Sequence, residues 1–135
     1  MKKFALFISL TVLSCAPKKV DLIKPVYMLP AKGKVFKEAR GYILRTRCAE
    51  YIRAVEAGEV IYAGKDVENY KWVVIVKQRD GYFSVYGKLK EKWVRRGEKV
   101  KKRQIIGRAG RIKGNCGIYY ELRNKAGDPV FPVLR

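Results

Sequence analysis

Few side chains in this 135-residue chain can do covalent or acid–base chemistry: three cysteines, twelve carboxylates and not one histidine. Without histidine there is no Ser-His-Asp triad, no Cys-His pair, no histidine-ligated zinc and no haem with an axial histidine. The usual proton shuttle near neutral pH is missing too. Cys48 and Cys116 have no imidazole to activate them, so neither is a candidate nucleophile. They are either a pair open to oxidation or two buried thiols. Glu121 and Asp128 have no evident carboxylate partner for paired acid–base work. Positive charge, in contrast, is abundant: 31 Lys and Arg against 12 Asp and Glu, a net +19.

The third cysteine, Cys15, closes a leader. Lys2 and Lys3 form a positive start, and Phe4 to Leu13 are apolar apart from Ser9 and Thr11. Ten helical residues span about 15 Å, half a bilayer core, so the stretch reads as a secretory signal and not a membrane span. Its end, Val12-Leu13-Ser14-Cys15, resembles the lipobox of bacterial lipoproteins. The expectation is a signal over residues 1–14, lipidation at Cys15 and a periplasm-facing chain held at the inner or outer membrane. Export argues against a nucleic-acid partner, which a cytosolic chain of this charge would suggest. Residues 85–114 hold 12 Lys and Arg with only Glu91 and Glu98. They read as a solvated basic face or as a contact for anionic lipid or wall polymer.

Chemistry this sparse needs a scaffold, and the mature chain reads as β. Residues 15–29 form a tether with two prolines, three lysines and no period, and residues 30–135 form the domain. Val55 to Gly64 is a strand punctuated by glycine. Trp72 to Val76 is a continuous apolar run that predicts burial on both faces. Arg79-Asp80-Gly81 predicts a hairpin turn into Tyr82–Tyr86. Further strands are expected at Ile105–Gly107 and Ile118–Leu122. No segment sustains a 3.6 period. The expected fold class is all-β, a compact antiparallel β-sheet or sandwich.

Five blocks in order carry a resemblance. They are Pro30 to Val35, Ala54 to Gly64, Val73 to Leu89, Gly97 to Gly110 and Tyr120-Glu121-Leu122-Arg123. Together they resemble the lysostaphin/LytM-like peptidoglycan endopeptidase domain, of the duplicated hybrid motif fold, over residues 30–132. Active members hold one Zn²⁺ with an H-x-G-x-D strand and an H-x-H strand, and the metal activates a water. Laid on this chain, H-x-G-x-D falls on Ala39-Arg40-Gly41-Tyr42-Ile43 and H-x-H on Gly117-Ile118-Tyr119. The two hairpin histidines fall on Gln78 and Lys88. The ligand positions Ala39, Ile43, Gly117 and Tyr119 are thus all degenerate. Arg103 stands where the family usually carries glycine, which leaves the shape of that turn open.

The resemblance implies a pseudo-peptidase with no metal and no cofactor, in which Glu121 is structural. Degenerate members in Gram-negative envelopes activate cell-wall amidases by displacing an autoinhibitory helix. The implied partner is a periplasmic peptidoglycan amidase or another cell-wall hydrolase, with peptidoglycan itself a further one. The implied contact surface is the old groove: Ile43, Gln78, Lys88 and Tyr119. The alternative is a scaffold lipoprotein on peptidoglycan or membrane with no hydrolase partner. A biotinyl- or lipoyl-type carrier is disfavoured, because the Asp80-Gly81 turn offers no lysine. The resemblance also makes the strands before Cys48 and after Cys116 neighbours, so a Cys48–Cys116 bridge is expected, with Cα atoms within about 7 Å.

Overall fold

A computed structural model describes residues 24–65 and 71–135. The leader, Cys15 and most of the expected tether lie outside the described residues. The described chain forms twelve strands: β1 (Val26–Tyr27), β2 (Lys34–Lys37), β3 (Tyr42–Arg45), β4 (Tyr51–Arg53), β5 (Gly58–Gly64), β6 (Trp72–Gln78), β7 (Phe83–Lys92), β8 (Lys99–Val100), β9 (Ile105–Ile112), β10 (Asn115–Arg123), β11 (Pro129–Val130) and β12 (Val133–Leu134). No helix occurs among them, so the all-β expectation holds.

Ten strands make one antiparallel sheet in the order β2-β3-β10-β9-β7-β6-β5-β8, with β4 added to β9 and β11 to β10. The first half of β10 pairs with β9 and its second half with β7, so β10 holds the sheet's two parts together. The β6–β7 hairpin forms where Asp80-Gly81 predicts it. Gly81 takes φ +96°, and Asp80 Oδ1 accepts from the Tyr82 amide at 3.1 Å.

Strand parity builds the core. Val74 and Val76 of β6, Tyr86 of β7, and Ile118, Tyr120 and Leu122 of β10 all belong to one buried cluster. Val73 and Val74 are 1% and 0% exposed, so the apolar run is covered on both faces. Tyr86 and Tyr120 pack ring to ring at 5.4 Å. Burial pushes the Tyr86 phenol up to about 12 and the Tyr120 phenol well above its ordinary value of 10. Both hydroxyls still find partners. Tyr86 accepts from the Val55 amide at 2.9 Å, and Tyr120 lies 2.8 Å from Ser84 Oγ.

Two findings revise the expectations. Val26–Tyr27, inside the stretch read as tether, form β1, which pairs in parallel with β12. Tyr27 is buried and donates to Asp80 Oδ2 at 2.5 Å, while Gln78 Nε2 donates to the Tyr27 oxygen at 2.9 Å. These partners lie over 50 residues away, so no local pattern announces them. Arg103, in turn, adopts φ +76°, the left-handed conformation a glycine would take. Its amide donates to the Ala54 carbonyl at 2.8 Å, so the turn keeps a glycine-like backbone despite the substitution.

Candidate functional site

The second face of the sheet carries the positions singled out by sequence. Cross-strand register sets Phe36, Ile43, Tyr119 and Gly87 in one row across β2, β3, β10 and β7. A second row holds Glu121, Val85 and Ile75. Beside them Val73, Ile75, Phe83 and Val85 line an apolar trough of about 370 Å³, edged by Arg123 and Lys125. Ile43 is 4% exposed and forms floor, whereas Phe36 stands 45% exposed. Ala39 lies exposed in the turn between β2 and β3, closed by the Glu38 amide donating to the Gly41 carbonyl at 2.8 Å.

Alternate residues of β10 form a polar ladder on this face. Tyr119 Oη donates to Glu121 Oε2 at 2.7 Å, and Arg123 Nε donates to Glu121 Oε1 at 2.6 Å. Glu121 is 1% exposed, so both oxygens of a buried carboxylate are satisfied by neighbours on its own strand. Gly41 leaves the room: a Cβ there would sit 2.8 Å from Glu121 Cγ and 2.4 Å from the Tyr120 carbonyl. Sequence reasoning gave Glu121 no place at this face. The signal was present, since 119, 121 and 123 share parity on one strand.

The other sequence-predicted residues fall in different places. Gln78 shares parity with Val74 and Val76, so it points into the core and not into the groove. It is 3% exposed; its amide donates to Tyr27 and to Asp80 Oδ1 (3.0 Å) and accepts from Ser84 Oγ. The groove expectation for Gln78 is therefore corrected. Lys88 stays near the groove but turns out of it. Trp72 and Val74 oppose Leu89 and Tyr86, so β7 spends one residue more than β6 between these pairs. The surplus is accommodated at Lys88, with φ +64°. Lys88 thereby borders an adjoining cleft of about 460 Å³, together with Lys65, Lys71, Trp72, Lys90 and Arg111. The floor of that cleft includes Cys48 and Cys116, which are joined in a disulfide with a Cα–Cα distance of 4.9 Å.

A zinc ion does not fit the ligand positions. A site needs three or four N, O or S donors around one point. Ile43 offers none, and the Tyr119 hydroxyl is committed to Glu121. Position 117 has no room for any side chain, because a Cβ there would lie 2.1 Å from the Leu44 carbonyl oxygen. The buried carboxylate of the face, Glu121, has both oxygens engaged. Among the described residues, no group of three or more His, Cys, Asp or Glu is placed to hold a metal. What the face can do is bind: it offers an apolar row and trough with a cationic edge.

Comparison with known proteins agrees with this architecture. The profile of Peptidase family M23 matches residues 37–132. The chain is 31% identical over 99 residues to a protein of Pseudomonas aeruginosa named "Lipoprotein NlpD/LppB homolog", covering 70% of this chain and 32% of that one. It thus spans about a third of that relative's length. Among solved structures, Helicobacter pylori Csd3 superposes with a TM-score of 0.71 at 19% identity, over 83% of this chain and 35% of that one, a likeness of fold. A chain from the complex of SpoIIIAH and SpoIIQ superposes with a TM-score of 0.61 at 30% identity, over 71% of this chain and 73% of that one.

Proposed function

The chain belongs to peptidase family M23, and from that premise we propose that it is a non-catalytic, LytM-like envelope lipoprotein whose former catalytic face regulates a peptidoglycan hydrolase, a cell-wall amidase in the first instance. The carrying observation is the Ile43–Tyr119 row. The family's strands are kept, while the positions that should hold zinc carry an apolar floor, a committed phenol and a glycine with no room for a side chain. A preserved surface without its chemistry is suited to binding.

Two further observations support the reading. The relative named as a lipoprotein matches a chain whose own leader ends in a lipobox-like Val12-Leu13-Ser14-Cys15. That supports anchoring at Cys15 with the domain facing the periplasm. The likeness to a chain from a two-protein complex supports a role through protein contact. Activation then requires that the β3–β10 face bind the hydrolase's open state more tightly than its closed one. Tyr119 and the exposed Phe36 supply the contact over the Ile43 floor, and Lys88 flanks it across the β7 bulge.

The test adds residues 16–135 to the organism's own periplasmic amidase and follows release from dye-labelled peptidoglycan, with each protein alone as control. The pair should release dye and neither protein alone should. Release by this domain alone overturns the non-catalytic reading. No release from the pair leaves the scaffold alternative, whose mark is sedimentation with peptidoglycan that fades as salt is raised.

A further inference from the structure

Away from the groove, β4, the end of β7 and the middle of β9 gather a patch that the regulatory reading does not use. Tyr51 and Trp93 are 40% and 47% exposed, and their rings meet edge to face at 5.6 Å. Arg108, opposite both Tyr51 and Glu91 in register, lays its guanidinium 4.9 Å over the Tyr51 ring. Trp93 is held by Nε1 donating to Glu91 Oε1 at 2.6 Å, and its amide donates to the Ile106 carbonyl. Arg53, two residues along from Tyr51 on the same outward side of β4, donates to the Arg103 carbonyl at 3.0 Å. Arg95 and Arg96 follow Trp93 directly and are exposed. The carboxylates nearby are Glu91, taken by Trp93, Glu50, beside Tyr51, and Glu98, whose Oε1 accepts from the Arg95 amide at 3.1 Å. Among the described residues, the ion pairs are Arg79–Glu56, Lys113–Glu38 and Arg123–Glu121, so no arginine of this patch has a carboxylate partner.

We infer that this Tyr51–Trp93–arginine patch is a seat for the surface of an anionic phospholipid bilayer. An exposed indole and phenol, apolar in body and polar at one end, suit the headgroup boundary, and guanidiniums with no carboxylate partner beside them suit lipid phosphates. Chain length argues for the same occupant. The nine residues from Ala16 to Lys24 reach at most about 30 Å, roughly the width of a domain this size. A body tied at Cys15 therefore stays within about one diameter of the bilayer. The patch decides which side of it faces the lipid, and one acyl anchor plus a basic surface gives firmer attachment than either alone. This inference rests on anchoring at Cys15 and is independent of any hydrolase contact.

The test uses residues 24–135, which hold the whole described core, with Trp72→Phe so that emission reports Trp93. Vesicles of phosphatidylcholine with phosphatidylglycerol are compared with phosphatidylcholine alone. Expected are co-sedimentation with the anionic vesicles only and quenching of Trp93 by brominated lipid. Trp93→Ala, scored by sedimentation, should weaken binding about fivefold, and Arg95→Glu with Arg96→Glu at least about tenfold. Lys34→Glu with Lys37→Glu, the same charge change on distant β2, should leave it within about twofold. Failure to bind anionic vesicles overturns the inference, as does an equal loss from the β2 control or an unquenched Trp93. Binding to purified sacculi through the same residues, without vesicle binding, reassigns the patch to wall polymer and overturns it equally.

Discussion

The two faces of β10 solve the same physical problem in different ways. On one face Tyr120 sits in a closed core beside Tyr86. Its hydroxyl bonds to Ser84, which bonds onward to Gln78, Tyr27 and Asp80. On the other face Tyr119 is half-buried and bonded to a carboxylate two residues away. The first set ties together β1, β6, β7 and β10, so its partners are fixed only once the sheet has folded. The second runs along β10, from Tyr119 through Glu121 to Arg123. A fold that keeps its first network and replaces its second can lose a catalytic site and remain the same sheet.

Truncation is the sharpest way to break the comparison. Tyr120→Ala removes a buried ring and one of the two partners of the Ser84 hydroxyl, for an expected loss of about 4 kcal/mol. Tyr119→Ala, on a partly exposed ring, loses one bond to Glu121 and should cost about 2 kcal/mol, well short of Tyr120→Ala, yet lower activation in the amidase assay. Urea unfolding of the two variants separates these outcomes; equal losses would erase the distinction between the faces.

Alkali addresses the core face next. The folded pKa of Tyr86, about 12, and that of Tyr120 lie above the unfolded value of 10. Between them the unfolded chain has lost the protons that the folded chain still holds. Stability is therefore complete below pH 10 and falls as pH rises above it, by about 1.4 kcal/mol per pH unit for each such tyrosine. Unfolding midpoints measured from pH 8 to 12 should be flat first and then descend.

The finest contrast lies in the charge of the ladder. Glu121→Gln keeps the shape and removes the charge that Arg123 and Tyr119 address, with an expected cost of about 1–2 kcal/mol. High salt should spare that difference, because the carboxylate is buried. A loss that vanishes at high salt would show the ladder to be an ordinary surface pair.

Much of the scaffold was legible before any coordinate. The apolar run at Trp72–Val76, the Asp80-Gly81 turn and the short glycine-bounded strands carry their meaning locally, and the sheet honours them. The site was legible where register alone decides, as at Ile43 opposite Tyr119. It failed at Gln78, where parity along β6 outranks the position of a motif, and the residue turned inward. It was incomplete at Lys88, because nothing in the residues Tyr86-Gly87-Lys88-Leu89 announces a bulge that redirects a side chain. Tyr27 was invisible for a third reason: its burial depends on Asp80 and Gln78, which approach it only through the tertiary fold.

The pairing of β1 with β12 has one more consequence. Val26 lies beside Val133 and Tyr27 beside Leu134, so the first and last strands of the body are neighbours running in the same direction. The strand partners of Lys24 and Arg135 are then offset by about four residues, or about 13 Å. A short glycine-rich link could join these ends, and the chain could be reopened at the exposed Lys113–Gly114 turn without breaking a β-ladder. The described body is held at both of its ends by one short parallel pair, so the pairing of its strands matters more to the architecture than the order in which they are joined.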